Sequence, residues 1–488
     1  MSEYRVLGNT VLPREDIERL LYPQLGEAKT LTDVEAARLA LENLYHARGF
    51  GTVFVDIPPQ DVTDGIVRLR VTEGKIQARQ ISGARYFSER DVVIGLPGTQ
   101  PGTVPNLQVL QQQLAAINNQ TVDRAVVPIL KQGSMPGTVD LALKVNDQLP
   151  LHGSLELNNQ NTIDTRPLRL IGQLSYGNLF GRLDTVALQY QVAPQQPGQV
   201  SVIAANYVSH PLARGLVPSA LFIDSNSNVA TVGTLGVLGK GQIVGARLMY
   251  PFTAGGAGQS LTLGMDYKHF RNVIALNASE GLNTPISYVN LSLTYAGVWR
   301  SDARIGTLNL AADFGPRGLA NNSVAFENER FQARSNYFYL RGDGALNFLL
   351  PKAFRVTVRA AGQLAAEPLV ANEDYSIAGV DAVRGYLESE ELGDSAIKGT
   401  LQLQSPPLQR HARQLGDVFT FYDAGRAETI QPLPGQPPHE ILRSWGIGAD
   451  LLPGQKVTGS LTWAHPLDTA SVTRADTSRV LFVLHGAF

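Results

Sequence analysis

From residue 151 to residue 488 the chain alternates apolar and polar residues, segment after segment. Period-two alternation is the pattern of a strand with two unlike faces. In Gln259–Arg271, Leu261, Leu263, Met265 and Tyr267 share one face, and Thr262, Gly264, Asp266 and Lys268 share the other. Ser287–Trp299 sets Val289, Leu291, Leu293 and Tyr295 opposite Asn290, Ser292 and Thr294, and Arg304–Phe314 repeats the scheme. Sixteen such segments can be marked, near 151–162, 168–178, 183–193, 199–209, 217–226, 240–250, 259–271, 287–299, 304–314, 335–347, 354–364, 395–404, 417–425, 441–452, 455–466 and 479–488. Helical periodicity is missing from this whole stretch. Segments of about 9–13 residues are longer and more numerous than soluble sandwiches use. A closed membrane barrel fits them better, because lipid tolerates no unpaired strand edge.

The connections carry a polarity. Those at 177–182 and Pro351–Ala353 are tight, whereas those near 272–286, 316–334, 365–394 and 426–440 are long. Short turns at one rim and long loops at the other are the periplasmic and extracellular asymmetry of such barrels.

Composition alone would mislead here. The 488 residues have a net charge of −2, 17% charged residues and a mean hydropathy near zero, like an ordinary soluble protein. A barrel that alternates lipid-facing and lumen-facing residues gives the same average. No apolar run reaches the ~18–20 residues of a spanning helix; the longest, such as Val229–Leu238, is short and broken by glycine. With no basic excess to neutralise phosphates, nucleic acid is not an expected partner. The absence of cysteine excludes a disulfide framework, thiol catalysis and cysteine-ligated metal. Met1–Arg5 leads straight into a patterned segment with no secretory signal, so the chain is either cytosolic or already relieved of its targeting segment. The barrel favours the second.

Residues 1–150 read differently. Tyr4–Leu7 is a short strand, and Pro13–Asp16 opens a helix with acids in its first turn. Thr32-Asp33-Val34-Glu35 has the form of a capping signal for a second helix, which ends at Gly49. Strands Val53–Ile57 and Val67–Val71 follow, joined by the Asp64-Gly65 turn. The β-α-α-β-β order then repeats: strand Ile76–Ile81, helices from Ser88 and over Pro105–Ile117, strands Asp123–Leu130 and Val139–Val145. A period of about 75 residues means two tandem copies of one small α/β module. Gly8-Asn9 aligns with Gly83-Ala84, and Asp64-Gly65 with Pro136-Gly137.

Several motifs, taken in order, resemble one family, the outer-membrane transporters of two-partner secretion. These belong to the superfamily of barrels with periplasmic POTRA (polypeptide-transport-associated) modules. The first module carries Tyr45-His46-Ala47-Arg48-Gly49-Phe50, Pro58-Pro59-Gln60, Asp64-Gly65 and a strand closing in Glu73-Gly74. The connection 365–394 carries Val383-Arg384-Gly385-Tyr386, which is similar to the family's lumen-loop motif. Phe421-Tyr422-Asp423-Ala424-Gly425 resembles its barrel-wall partner, so the resemblance implies an Arg384–Asp423 pair with Phe421 and Gly425 beside it. A carboxylate is costly facing lipid at mid-depth, which independently favours lumen or interface for Asp423. Gly177–Asp184 resembles an early hairpin turn, with Arg182-Leu183 where small residues are usual, and Asn158 stands where a first-strand acid is usual. The final strand ends on Phe488, as the sorting signature of outer-membrane barrels does. Family members also carry a plug helix and linker ahead of the first module; this chain starts at the module.

The resemblance implies modules at 1–75 and 76–149, in the periplasm, followed by a 16-stranded antiparallel transmembrane β-barrel at 150–488 in the Gram-negative outer membrane. The implied partners are an unfolded exoprotein with an N-terminal secretion domain, membrane lipid, and the barrel-assembly machinery that inserts the chain. A barrel-assembly insertase of the same superfamily would share fold and loop motif, and usually carries three or more modules. A diffusion porin with appended binding domains would lack the Arg384 motif. Enzymatic readings do poorly, since Walker-type and Gly-x-Ser-x-Gly motifs are absent and the eight His are scattered without metal spacing. Neither cofactor nor metal is expected. The acidic run Glu388, Glu390, Glu391 and Asp394 reads as a solvated loop face.

Overall fold

The computed structural model describes residues 1–488 except 63, 228, 233–234, 276–280, 411–412 and 453–455. It divides into two compact units, Met1–Pro150 and Leu151–Phe488.

The first unit repeats one design. Strand β1 (Glu3–Leu7) is followed by helices α1 (Arg14–Leu21) and α2 (Leu31–Ala47), then strands β2 (Val53–Asp56) and β3 (Ile66–Glu73). The sheet order is β1-β3-β2, with β1 parallel and β2 antiparallel to β3. Next come β4 (Lys75–Ser82), α3 (Glu89–Gly95), α4 (Leu107–Asn118), β5 (Arg124–Gln132) and β6 (Thr138–Asp147), with order β4-β6-β5. Helix α2 buries Val34, Ala37, Leu41 and Tyr45, spaced to share one face, against Val53, Leu69 and Val71. Its capping box is built from Thr30 and Asp33 rather than from Thr32 and Glu35. Asp33 lies three residues after Thr30 and accepts from the Thr30 amide at 2.7 Å, which is the geometry a box requires.

The repeat extends to single atoms. Gly8 and Gly83 have φ of +90° and +87°, and a Cβ at either would strike the carbonyl of Val71 or Val145. The last residue of each closing strand is an acid that fastens the turn before the first helix. Glu73 accepts from the Thr10 amide at 2.6 Å and the Val11 amide at 3.1 Å. Asp147 accepts from the amides of Arg85, Tyr86 and Phe87 at 2.8, 2.7 and 3.1 Å. Burial pushes the Asp147 carboxyl up, but the three amide donors outweigh it and hold it below its ordinary range.

The second unit is a closed barrel. Its staves are β7 (Leu151–Asn158), β8 (Arg169–Leu179), β9 (Asp184–Val192), β10 (Ser201–Val208), β11 (Val217–Ser225), β12 (Gly241–Ala254), β13 (Ala257–Ala275), β14 (Gly281–Ser301), β15 (Arg304–Phe314), β16 (Phe338–Leu349), β17 (Arg355–Ala365), β18 (Ser395–Gln404), β19 (Arg413–Glu428), β20 (His439–Leu451), β21 (Val457–Pro466) and β22 (Arg479–Ala487). Each pairs antiparallel with its sequence neighbour, and β22 closes on β7 with Leu484 opposite Leu157. Sixteen staves result, as the alternation predicts, with Leu408–Arg410 a short extension of the β18–β19 hairpin. Leu261, Leu263, Met265 and Tyr267 are exposed on the outer wall, while Asp266 of the same stave is buried inside. Phe488 continues the last stave, exchanging backbone hydrogen bonds with Gly153 at 2.9 and 3.2 Å, and its ring covers that glycine.

Three expectations are corrected. Most of the long connection at 272–286 is strand, because β13 and β14 form a hairpin of 19 and 21 residues; 276–280 lie outside the described residues. The barrel region does contain a helix, α5 (Ser323–Glu329), within the connection between β15 and β16. It has seven residues and starts on Asn322, whose side chain accepts from the Val324 amide, so it is too short for a periodic signal. The acidic run is not a solvated face: Asp394 and Glu390 are 0% and 6% exposed.

Candidate functional site: the lumen loop and its wall contact

The connection 366–394 enters the barrel interior instead of leaving the rim. Tyr375–Ser376 pairs with Leu392–Gly393, zipping the two legs of the loop, and Ala378 bridges Val383 near the tip. Val383 and Ile377 are fully buried between loop and wall.

Arg384 meets the wall at β19. Its Nε and Nη2 donate to the two oxygens of Asp423 at 2.7 and 2.9 Å, the fork geometry of guanidinium and carboxylate. The Arg384 amide adds a third bond to Asp423 at 3.2 Å, and Nη1 reaches Gln402 of β18 at 3.1 Å. The guanidinium plane also lies 3.4 Å over the Phe421 ring. Asp423 has no exposure, and a buried carboxylate persists only with such a full set of donors. Alternation explains the grouping, since Phe419, Phe421, Asp423 and Gly425 point inward from one stave.

Glycines make the approach close. A Cβ at Gly425 would sit 3.0 Å from Ile377 and 3.1 Å from Val383. Gly385 has φ +101° and lies against Pro466 of β21. Tyr386 is 1% exposed; its hydroxyl sits 3.1 Å from the Arg443 carbonyl and 2.9 Å from that of Asp468. The motif therefore touches β18, β19, β20 and β21 at once.

The acidic run fastens what lies around it. Glu388 accepts from the Val380 amide at 2.8 Å, and Glu390 from the amides of Leu387 and Val472 at 2.9 and 2.8 Å. Glu391 accepts from the Ser471 amide at 2.7 Å. These partners are the loop itself and the connection between β21 and β22. Beside the loop a cavity of about 1140 Å³ remains, lined by polar wall residues such as Arg247, Asp266 and Lys398 and by Tyr375 of the loop.

The module residues named from sequence lie in the first unit and are structural in geometry. Tyr45 is buried and donates to Asn9 at 2.7 Å; Arg48 pairs with Asp16 at 2.7 Å. Gln60, after Pro59, exchanges two hydrogen bonds with the backbone of Arg68 at 2.8 and 2.9 Å, extending β3 sideways. Asp64 and Gly65 both have positive φ, and the Gly74 amide donates to Thr52 at 3.1 Å. Gly49 joins the two repeats: its carbonyl accepts from the Leu107 amide at 2.7 Å, and Asn106, the cap of α4, donates to Arg48 at 2.8 Å. Sequence reasoning found Gly49 as a helix stop but missed this joint.

Comparison with known proteins agrees with this architecture. Residues 1–74 match the ShlB-type POTRA domain, and residues 137–451 match the haemolysin secretion/activation protein ShlB/FhaC/HecB. The outer membrane transporter CdiB of Escherichia coli is 27% identical over 184 residues, 38% of this chain and 31% of that relative. The match thus spans about a third of CdiB's length. The heme/hemopexin transporter protein HuxB of Haemophilus influenzae is 20% identical over 483 residues, 96% of this chain and 83% of the relative. Among solved structures, E. coli CdiB superposes with a TM-score of 0.61 at 20% identity, covering 100% of this chain and 90% of that one. BamA of Haemophilus ducreyi lacking POTRA domains 1–3 superposes at 0.62 and 13% identity, covering both chains fully. Both likenesses concern the fold. With the family match running through both the lumen loop and the wall motif, the chain belongs to the haemolysin secretion/activation protein family of ShlB, FhaC and HecB.

Proposed function

We propose that this chain is the outer-membrane pore of a two-partner secretion system, carrying an unfolded exoprotein from the periplasm to the cell surface. It is read as two POTRA modules, 1–75 and 76–149, ahead of a barrel at 150–488, with the modules in the periplasm. The observation that carries the reading is the loop held inside the barrel by Arg384 on Asp423. A diffusion porin lacks the Val383-Arg384-Gly385-Tyr386 motif that makes this contact.

The modules would catch the partner. In the second sheet β5 is an edge strand, and Val127, Ile129 and Leu130 on it are exposed. Such an edge takes an extended chain by strand addition, with apolar side chains giving selectivity. The partner is an exoprotein with an N-terminal secretion domain. The outer wall meets membrane lipid, and the barrel-assembly machinery inserts the chain. The periplasm holds no ATP, so folding of the exported chain outside supplies direction. The polypeptide works as a transporter with neither cofactor nor nucleic acid.

Arg384→Ala and Asp423→Ala test the role of the pair. Each leaves a buried charge unpartnered, a loss of about 3–5 kcal/mol at the contact. Both variants are expected to assemble as heat-modifiable barrels and to release no exoprotein into the medium. Normal secretion by both would remove the Arg–Asp contact from the mechanism.

A further inference from the structure

The interior is not polar throughout. Toward the rim of the long connections the inner wall between β10 and β17 turns apolar and packs with α5 and the root of the lumen loop into one continuous cluster. Ile243, Phe270 and Tyr288 come from the staves, while Phe326 of α5 and Leu369 and Val370 of the lumen loop fill the space between. Phe326 is 1% exposed and meets Tyr288 edge-on at 5.3 Å between ring centres. Packed aromatic side chains of this kind exclude water from the space they fill.

One side chain ties this stopper together. Arg330 follows α5 directly and forks onto Asp394, with both bonds at 2.7 Å. Its remaining donors reach the Leu369 carbonyl at 2.9 Å and the Ile430 carbonyl at 3.2 Å. Asp394 in turn accepts from the amides of Leu369 and Ile430, both at 2.6 Å. The pair therefore joins three separate connections, 315–337, 366–394 and 429–438, all at the same rim because antiparallel staves alternate. The four acceptor sites of Asp394 are all filled, and the carboxylate is 0% exposed. The pair lies apart from Arg384 and Asp423 in sequence and shares no bond with them.

We propose that Arg330 and Asp394 form the latch of a gate at the cell-surface end of the pore. While the pair is joined, α5 and the root of the lumen loop move as one body and the apolar stopper stays closed. An exported chain leaves only after the three connections part. The proposal rests on the pore reading above, and it is tested by a measurement that needs no exoprotein.

The natural chain has no cysteine, so thiols can be placed without background. Arg330→Cys/Asp394→Cys is made in the full chain, purified as a folded barrel and reconstituted in planar bilayers. With the latch broken, mean conductance is expected to rise at least about threefold over the unaltered protein. Treating the same preparation with a short bismaleimide, with cross-linking checked by mass spectrometry, is expected to return conductance to within about 30% of the unaltered value. Cells carrying the cross-linked pair are expected to stop exporting. Unchanged conductance before cross-linking, or conductance that stays raised in the cross-linked protein, overturns the latch. If conductance behaves as expected while the unaltered strain exports nothing, the latch stands and the secretion reading fails.

Discussion

At the scale of single residues, the wall contact depends on shape as much as charge. Gly425 leaves room for Ile377 and Val383, whose atoms lie 3.0–3.1 Å from where a Cβ would be. Gly425→Val overpacks that contact, at a cost of about 1–3 kcal/mol. The expected result is faster hydrogen exchange at the Val383 and Arg384 amides in the full-length protein, with barrel amides unchanged. Unaltered exchange at the tip would show that the loop is held by charge alone. Arg384 and Asp423 stand out in the sequence because each sits in a recognisable motif. Phe421, whose ring lies under the guanidinium, belongs to the same wall motif, whereas Gln402 does not stand out, since a Gln in a strand has many ordinary reasons to be there. The acidic run misled for a related reason. Glu390 is buried by Val472, more than eighty residues on, and local composition cannot see such a partner.

At the scale of elements, the two modules share a fastening that alternation does not reveal. Glu73 and Asp147 each end a closing strand and hold the turn entering the first helix. For Asp147 the amide donors set the folded carboxyl below the usual value, although burial opposes them. A carboxyl lowered on folding stabilises above its unfolded value, near 3.9, and the gain is lost as pH falls through the folded value. Protection of the amides of Arg85, Tyr86 and Phe87 is therefore expected to drop as pH falls below about 4. In Asp147→Asn the protection is expected to be lower at neutral pH and to lose that acid dependence. An identical acid response in both proteins would assign it elsewhere. Strands and long helices were legible because their periods repeat over many residues. Helix α5 was not: it has only seven residues, like α3, but lacks the acids that mark the first turn of α3, and the capping box of α2 was misplaced by two because two acids lie within one turn.

At the scale of the whole molecule, the near-neutral averages describe two unlike parts. One is a pair of α/β modules with edge strands, and the other a sixteen-stave barrel whose outer wall is apolar. The stave number was legible because each crossing needs its own alternating run. The apolar stopper was not: lumen-facing Ile243 and Phe270 look in sequence like ordinary wall residues until the loop packs on them. The central claim concerns export, and secreted protein measures it most directly. The chain is deleted from its host, and the proteins of the culture medium are compared by mass spectrometry with those of the parent and of strains complemented by the unaltered chain or by Arg384→Ala. The account predicts that one large exoprotein vanishes from the medium, returns with the unaltered chain and fails to return with Arg384→Ala. A medium whose proteins are the same in all four strains would contradict it.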